Sequence, residues 1–499
     1  MCMQQLKGLS QPKIESMFLC VNILKTNLMK HSIYVLFCFI SLITANAQNN
    51  ITYQKVEARQ NALDPKWVAY DAKTVDKLPG FKIKKQGPIS IYGGSKVWQK
   101  EATGFFRTEK VNNRWWIIDP EGYPFIYKGV AVFNAGRSVN QQKAFDKKYG
   151  SPENWLKQET KLLRDNGFNG VGAWSNIDLV RKAENPLVYT IIISPMGMYH
   201  SDHIKKYGGK YKEASWQNYR FDLVMVFDKE FDAYVEKSIK DVSQYKNDKY
   251  LMGYFTDNEL PWYNDALDKH LTLLAKDEQG YMAAKDWLDK RKGFNASISD
   301  VNQEDRMAFT AFYFETYMKK VTEALRKADP NHLYLGCRFN QDKEQELTNP
   351  EIFKVAGKYM DIISINHYRK WEPSQELMNN WGEWSGKPFL ITEWYTKGED
   401  SGLPNNTGAG WLVRTQKERG LFYQNFTLEL LKNKNSVGWH WFKYMDNDPE
   451  DLTTDYSNRD SNKGIVNSKF EPYEPLLKEM KVINDNAYEL TRYFDNKKN

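Results

Sequence analysis

Cysteine is nearly absent. Of four among 499 residues, Cys2, Cys20 and Cys38 fall in the first 38 positions and only Cys337 lies in the body of the chain. The body therefore has no internal disulfide, and a chain this long holds itself by its core instead. Histidine is scarce too, with seven in all. His200-Ser-Asp-His203 is a loose pair with no third ligand evident, and no HExxH occurs, so neither a metal nor a cofactor is expected. A P-loop and a G-x-S-x-G elbow are also missing, which sets aside the commonest nucleotide-hydrolysing and serine-hydrolase designs. There is no dense basic run of the kind that marks a nucleic-acid partner.

Long hydrophobic runs are missing as well. Ile33–Ile40 is apolar but too short to span a bilayer comfortably. Lys30 and His31 before it and Ala45-Asn-Ala47 after it give an export signal with a cleavage site. Met29 is a natural start for that signal, so residues 1–28 read as a mis-assigned upstream start. The expected destination is secretion or the periplasm, with no transmembrane segment after signal removal. Small residues are lacking before Cys38, so lipid anchoring is not favoured. Residues 1–47 carry four lysines and one glutamate, and their removal lowers the net charge from +7 to +4. Aromatics, by contrast, are abundant: 16 Trp, 30 Tyr and 26 Phe. Their faces stack on the apolar faces of sugar rings.

The body divides into a short N-terminal extension with a β-hairpin, residues 48–122, and a larger domain, residues 123–499. In Arg114–Tyr127 two apolar runs flank the turn Asp119-Pro-Glu-Gly122. Beyond it, eight apolar runs read as strands: Ile126–Phe133, Gly167–Trp174, Val188–Ser194, Leu251–Thr256, Leu333–Phe339, Ile362–His367, Phe389–Glu393 and Val437–Phe442. Amphipathic stretches separate them, including Pro152–Asn166, Lys229–Tyr245, Glu304–Ala328, Pro350–Tyr359 and Gln416–Lys434. The alternation predicts a (β/α)8 TIM barrel with a short β-containing extension. Long loops, Tyr263–Ser299, Lys397–Trp411 and Met445–Gly464, follow the fourth, seventh and eighth strands, on the side where barrel enzymes build their sites.

Two of these strands end in glutamate. Leu251-Met-Gly-Tyr-Phe-Thr-Asp-Asn-Glu259-Leu-Pro-Trp262 ends the fourth and Pro388-Phe-Leu-Ile-Thr-Glu393-Trp394 the seventh. Glycosidic cleavage needs a proton for the leaving oxygen and a negative group at the anomeric carbon, and two carboxyl groups supply both. Glu259 is read as the acid/base and Glu393 as the nucleophile. Asn258 is placed to bond a sugar hydroxyl, and Asp257 to hold a loop. Asn366, His367 and Tyr368 end the sixth strand, and Tyr368 is placed to donate to the nucleophile. Trp441 is the expected sugar platform, with Trp439 on the same face but in the core. Trp174, Trp262, Arg338 and Trp394 complete the expected substrate contacts. The acidic run Asp446–Asp455 lacks the EF-hand pattern and reads as a solvated loop rather than a calcium site.

These motifs resemble those of clan A glycoside hydrolases, and more narrowly the β-agarase-type enzymes of glycoside hydrolase family 50. The matching pieces are Trp116–Gly122, Gly253–Trp262, Ile391–Trp394, Gly438–Phe442 and Asn462–Val466, so the resemblance runs from about Trp115 to the end of the chain. It implies retaining hydrolysis of β-1,4-galactosidic bonds in agarose or a related galactan, often from chain ends, with the same two glutamates in the same roles. Family members often carry a sizeable N-terminal carbohydrate-binding-like domain, and residues 48–110 are too short for one. The partner implied is a polysaccharide or its oligosaccharides. The alternatives are another clan A specificity (β-mannan, β-glucan or β-galactoside) and a catalytically inactive glycan-binding barrel.

Overall fold

Strands that are buried on both faces need apolar side chains at every position, and these runs have them. In the computed structural model, which describes residues 52–207, 219–340, 344–454 and 457–496, they form one curled parallel sheet. The expected export signal falls outside the described residues. Before that sheet come β1 (Gln54–Arg59), β2 (Val68–Ala72), β3 (Arg107–Val111), β4 (Arg114–Ile118) and β5 (Pro124–Phe125). The sheet itself holds β6 (Tyr127–Val130), β7 (Gly170–Val171), β8 (Val188–Ile193), β9 (Leu251–Thr256), β10 (Leu333–Gly336), β11 (Phe339–Asn340), β12 (Ile363–Asn366) and β13 (Phe389–Glu393). After two short strands, β14 (Thr396–Gly398) and β15 (Trp411–Val413), it ends with β16 (Ser436–Trp441). The order is β10-β9-β8-β7-β6-β16-β13-β12-β11. All six residues of β9 and all five of β13 are buried.

The two outermost strands of that order, β10 and β11, are consecutive pieces of the predicted fifth strand. Only Cys337 and Arg338 separate them, and Gly336 and Arg338 both take positive φ there (75° and 57°). β10 pairs with β9 and β11 with β12. The interruption turns the strand from one neighbour to the other.

The helices start where the sequence supplies caps. Ser151 caps Pro152–Asp165, with proline in the first turn. Asn302 with Asp305, and Thr415 with Glu418, form reciprocal caps for Gln303–Ala328 and Gln416–Lys432. Pro350–Tyr359 forms as expected. The Gln416–Lys432 helix is buried almost all round, because the Glu474–Asn496 helix covers the face turned away from the sheet. The sequence reading did not include that last helix. It also missed two helices, Ala266–Leu273 and Gln279–Lys292, inside the stretch expected to be a loop after β9. The expected loop Lys397–Trp411 likewise contains most of β14 and the start of β15.

The N-terminal extension does two jobs. β3, β4 and β5 form a three-stranded antiparallel sheet with the turn at Asp119–Gly122, as the sequence indicated. Its Phe106, Ile117 and Phe125 pack with Tyr127, Val188, Met252, Leu333 and Leu335 in one apolar cluster. That cluster fills the interior at the N-terminal ends of the strands. The β1–β2 hairpin instead pairs with β15, with Ala58 opposite Val413, and so braces the segment that follows β13.

Phe125 is fully buried in the interior cluster. Phe125→Ala should lower stability by about 3–5 kcal/mol, the usual cost of emptying a phenylalanine site. Urea unfolding followed by tryptophan fluorescence will measure it. One transition at a lower midpoint is expected, and an early separate transition would show that the extension unfolds alone.

Candidate active site

The C-terminal ends of the parallel strands carry the polar residues. Glu259 follows β9 in a tight turn, and both Asp257 (φ 55°) and Glu259 (φ 51°) lie in the left-handed region. Such backbone is disfavoured for residues with a Cβ and collects at functional sites. The Glu259 N–H donates to the carbonyl of Cys337 at 3.0 Å, which ties this turn to the interruption between β10 and β11. Its carboxylate accepts from Asn366 Nδ2 at Oε1 (2.6 Å) and from Asn340 Nδ2 at Oε2 (3.2 Å).

Glu393 ends β13. The register between β12 and β13 slips after Ile365–Ile391, so that Asn366 lies opposite Glu393. A slip of this kind re-aims a side chain. Tyr368 donates its hydroxyl to Glu393 Oε2. Arg338 Nη2 lies 2.7 Å from Glu393 Oε1 while donating to the Thr392 carbonyl at 3.1 Å. The first contact is therefore charge pairing rather than a well-aligned hydrogen bond. Asn366 sits beside Glu393 in the sheet and touches Glu259 with its amide, so the two carboxyl groups share a neighbour. Burial, with the charges of Glu393 and Glu259 nearby, raises the Tyr368 phenol well above its ordinary range, so it remains a donor at any working pH.

Arg338 is fully buried and links the parts. Nη1 donates to Asn258 Oδ1 (3.1 Å), which also accepts from Asn366 Nδ2 (3.2 Å). The guanidinium carbon lies 4.5 Å from the Trp174 ring centroid and 5.2 Å from that of Phe255. Trp174 keeps 40% of its surface exposed, as a sugar platform must. Asp257, expected to hold a loop or orient a neighbour, instead anchors the start of a helix: it accepts from the N–H groups of Met196 (3.1 Å) and Gly197 (2.9 Å) in the first turn of the Pro195–Tyr207 helix, and from Tyr317 Oη (2.7 Å). Burial pushes its carboxyl up to about 6.

Four expected contacts do not reach the cleft. Trp262 is enclosed by Tyr313, Phe314 and Tyr317. Trp394 stacks on Phe426 and Tyr423 of the Gln416–Lys432 helix. Trp441 packs on Trp394 and donates Nε1 to the Lys463 carbonyl (2.8 Å), so it belongs to the core with Trp439. Period two correctly put Trp439 and Trp441 on one face, but that face looks outward to the helices. His440, between them, faces inward against Gly129 and Gly172. His367 is buried edge-on to Phe426, and burial depresses it to about 3, so it is a neutral core residue.

The cleft gains residues the sequence reading passed over. Asn340 is one, hidden by the interruption of the fifth strand. Phe442 is another: it is half-buried, and its ring lies 6.4 Å from that of Trp174 and 6.2 Å from that of the buried Tyr395, which in turn lies 5.6 Å from Tyr368. It follows Trp441, the tryptophan that alternation had favoured. In the acidic run, Asp446 is saturated by N–H and O–H donors from Asn462, Lys463, Gly464 and Tyr473. No group of three potential metal ligands occurs among the described residues. His203 Nδ1 donates to the Tyr199 carbonyl (2.8 Å), and the imidazole stacks on the Tyr199 ring. No helix among the described residues is long and apolar enough to cross a membrane.

Two buried carboxyl groups with a common neighbour, at the C-terminal end of a parallel sheet and beside an exposed indole, form the kind of arrangement that glycoside hydrolases use. Comparison with known proteins agrees. No family model matches the chain. The crystal structure of BpGH50 is 33% identical and covers 89% of this chain and 96% of its own, with a TM-score of 0.75. An agarase structure, AgWH50C, shares the fold at 22% identity with a TM-score of 0.66, covering 82% of this chain and 67% of its own. Beta-agarase B of Vibrio sp. (strain JT0107) is 26% identical over an alignment of 534 positions, gaps included, that covers 85% of this chain and 53% of that protein. The chain thus spans about half the length of this curated relative. It belongs to glycoside hydrolase family 50.

The raised Asp257 carboxyl makes stability depend on pH in a defined direction. Its folded value, about 6, lies above the ordinary 3.8, so the native state takes up a proton first and gains stability as pH falls through 6. Between pH 7 and pH 5 the wild type should gain about 1 kcal/mol relative to Asp257→Asn. Urea titrations of both proteins at the two pH values will read this difference, and identical pH dependence in the two would remove the effect from Asp257.

Proposed function

We propose that this chain is an exported retaining β-glycosidase that hydrolyses β-galactosidic linkages in an agarose-like galactan or its oligosaccharides. Its framework is a (β/α)8 barrel closed across the interrupted fifth strand, and residues 48–122 form the extension that seals the opposite end. The observation that carries the reading is Asn366, which lies next to Glu393 in the sheet and donates to Glu259 at 2.6 Å. One sugar bond can therefore meet both carboxyl groups. The agarase names of the Vibrio proteins support the galactan.

In the first step Glu393 attacks the anomeric carbon, the glycosidic C–O bond breaks, and Glu259 gives its proton to the leaving oxygen. In the second, water attacks the same carbon, Glu259 takes a proton from it, and the bond to Glu393 breaks, which returns the β-configuration. The surroundings suit these roles. Glu393 receives a guanidinium and a phenol donor, which fit a nucleophile that must be an anion. Glu259 is contacted by two neutral carboxamides. Asn258, oriented by Arg338, offers its amide to a hydroxyl beside the reacting carbon. Trp174 stacks a neighbouring sugar.

Replacing either carboxyl should be severe. Glu393→Gln should lower kcat/KM on agarose oligosaccharides by about 10³-fold or more. Glu259→Gln should do the same on the natural linkage yet still release aryl leaving groups in a rapid burst, because those need no proton. Proton NMR of the first product should show the β-anomer. Wild-type rates in both variants, or an α-anomer as first product, would overturn the reading.

A further inference from the structure

Glu259 is carried by a turn of three residues, 257–259, and two of them, Asp257 and Glu259, have left-handed backbone. Such backbone persists only where its surroundings fix it. Each residue of the turn is fixed in its own way. Glu259 gives its N–H to the Cys337 carbonyl (3.0 Å). Asn258 Oδ1 accepts from Arg338 (3.1 Å) and Asn366 (3.2 Å). Asp257 gives its N–H to the Ile193 carbonyl (2.6 Å), which extends the pairing of β8 with β9 by one step.

The Asp257 side chain ties the same turn to two helices. Its buried carboxylate accepts from Met196 and Gly197 N–H, at the start of the Pro195–Tyr207 helix, and from the Tyr317 hydroxyl of the Gln303–Ala328 helix. Three donors converge on two oxygens, so the fitting partner is a group that only accepts. A protonated acid or an amide would turn an O–H or N–H toward them. The charge costs the fold stability rather than adding to it, since burial holds this carboxyl up at about 6. The titratable groups facing it are the phenols of Tyr219, Tyr317 and Tyr334 and the Cys337 thiol. Burial pushes all four up, so they stay neutral and none supplies a positive charge. A carboxylate that weakens the fold and sits two residues from Glu259 calls for another role.

We propose that Asp257 is a positioning residue: as an anion it fixes the turn 257–259 and so aims the Glu259 carboxyl at the leaving oxygen. The inference rests on the acid/base reading above and deepens it. Protonation of Asp257 removes one acceptor from the three donors, and the disfavoured turn relaxes. Glu259 then leaves its line to the glycosidic oxygen, where a misplacement of about 1 Å can cost roughly a hundredfold in rate.

The test compares the full-length enzyme with Asp257→Asn, Tyr317→Phe, Glu259→Gln and the double variant Asp257→Asn/Glu259→Gln. Asp257→Asn keeps the shape and removes the charge. It should lower kcat on agarose oligosaccharides about tenfold or more with little change in KM. The burst from an activated aryl galactoside, which needs no proton, should stay within about threefold of wild type. In the Glu259→Gln background the same substitution should cost nothing further, because its effect runs through Glu259. The pH profile supplies a readout that a packing role would not move. Wild-type kcat/KM on the natural linkage should fall below about pH 6. Tyr317→Phe removes one donor to the anion and should shift that limb toward neutral pH. It keeps the ring packed on Phe231 and Trp262, so it decides the matter even if Asp257→Asn fails to fold. Equal losses on natural and activated substrates, an additive cost in the double variant, or a limb that Tyr317→Phe leaves in place would overturn the proposal. The hydrolase reading would stand in each of those cases. A fully active Glu259→Gln would instead remove the acid/base reading, and this role for Asp257 with it.

Discussion

A guanidinium with no access to water sits at the centre of this molecule. Burying a charge is expensive unless it is paired and its donors are used. Arg338 meets most of that demand with Glu393, the Thr392 carbonyl and Asn258, and with the faces of Trp174 and Phe255, leaving only Nε without an acceptor among the described residues. Those partners belong to the ends of three strands, β7, β9 and β13, and Arg338 itself lies between β10 and β11, so one arginine ties these strand ends together. To deliver it, the chain gives up a continuous fifth strand and accepts a left-handed backbone at Arg338 itself.

That disfavoured backbone is not isolated. Val132, Trp174, Asp257, Glu259, Arg338 and Arg369 all take positive φ without being glycine, and all follow a strand of the parallel sheet at the same end. Each such residue costs on the order of 1–3 kcal/mol and persists only where its surroundings over-determine it. In the extension at the opposite end the β3–β4 turn also carries it, at Asn112 and Asn113 (φ 51° and 64°), but asparagine tolerates that backbone better. That end is closed by apolar packing from β3, β4 and β5. Stability and chemistry are thus placed at opposite ends of the strands, as barrel proteins generally place them.

Much of this was legible in the sequence. Strands buried on both faces are nearly continuous apolar runs, and all eight appear close to where those runs lie. Capping residues marked the helix starts. The two glutamates stood out because each ends such a run. Hydrogen bonding across the sheet was not legible. The slip between Ile365 and Asn366 decides that Glu393 looks into the cleft and Trp394 away from it, and no period-two pattern contains it. Trp439 and Trp441 show the same limit: alternation says which residues share a face, but not which face meets the helices. The Glu474–Asn496 helix was missed although its apolar residues are well segregated. Strand–helix alternation leaves a place for a helix after the eighth strand, but the irregular segment from Phe442 to Tyr473 separates this one from β16.

The brace on the segment after β13 comes from the far end of the chain. Lys73 donates its N–H to Asn425 Oδ1, 352 residues later, and β1 pairs with β15 in the same region. The β1–β2 hairpin therefore finds its partners only when a segment more than 300 residues later is present. Such distant closure is slow and leaves strand edges open in the meantime.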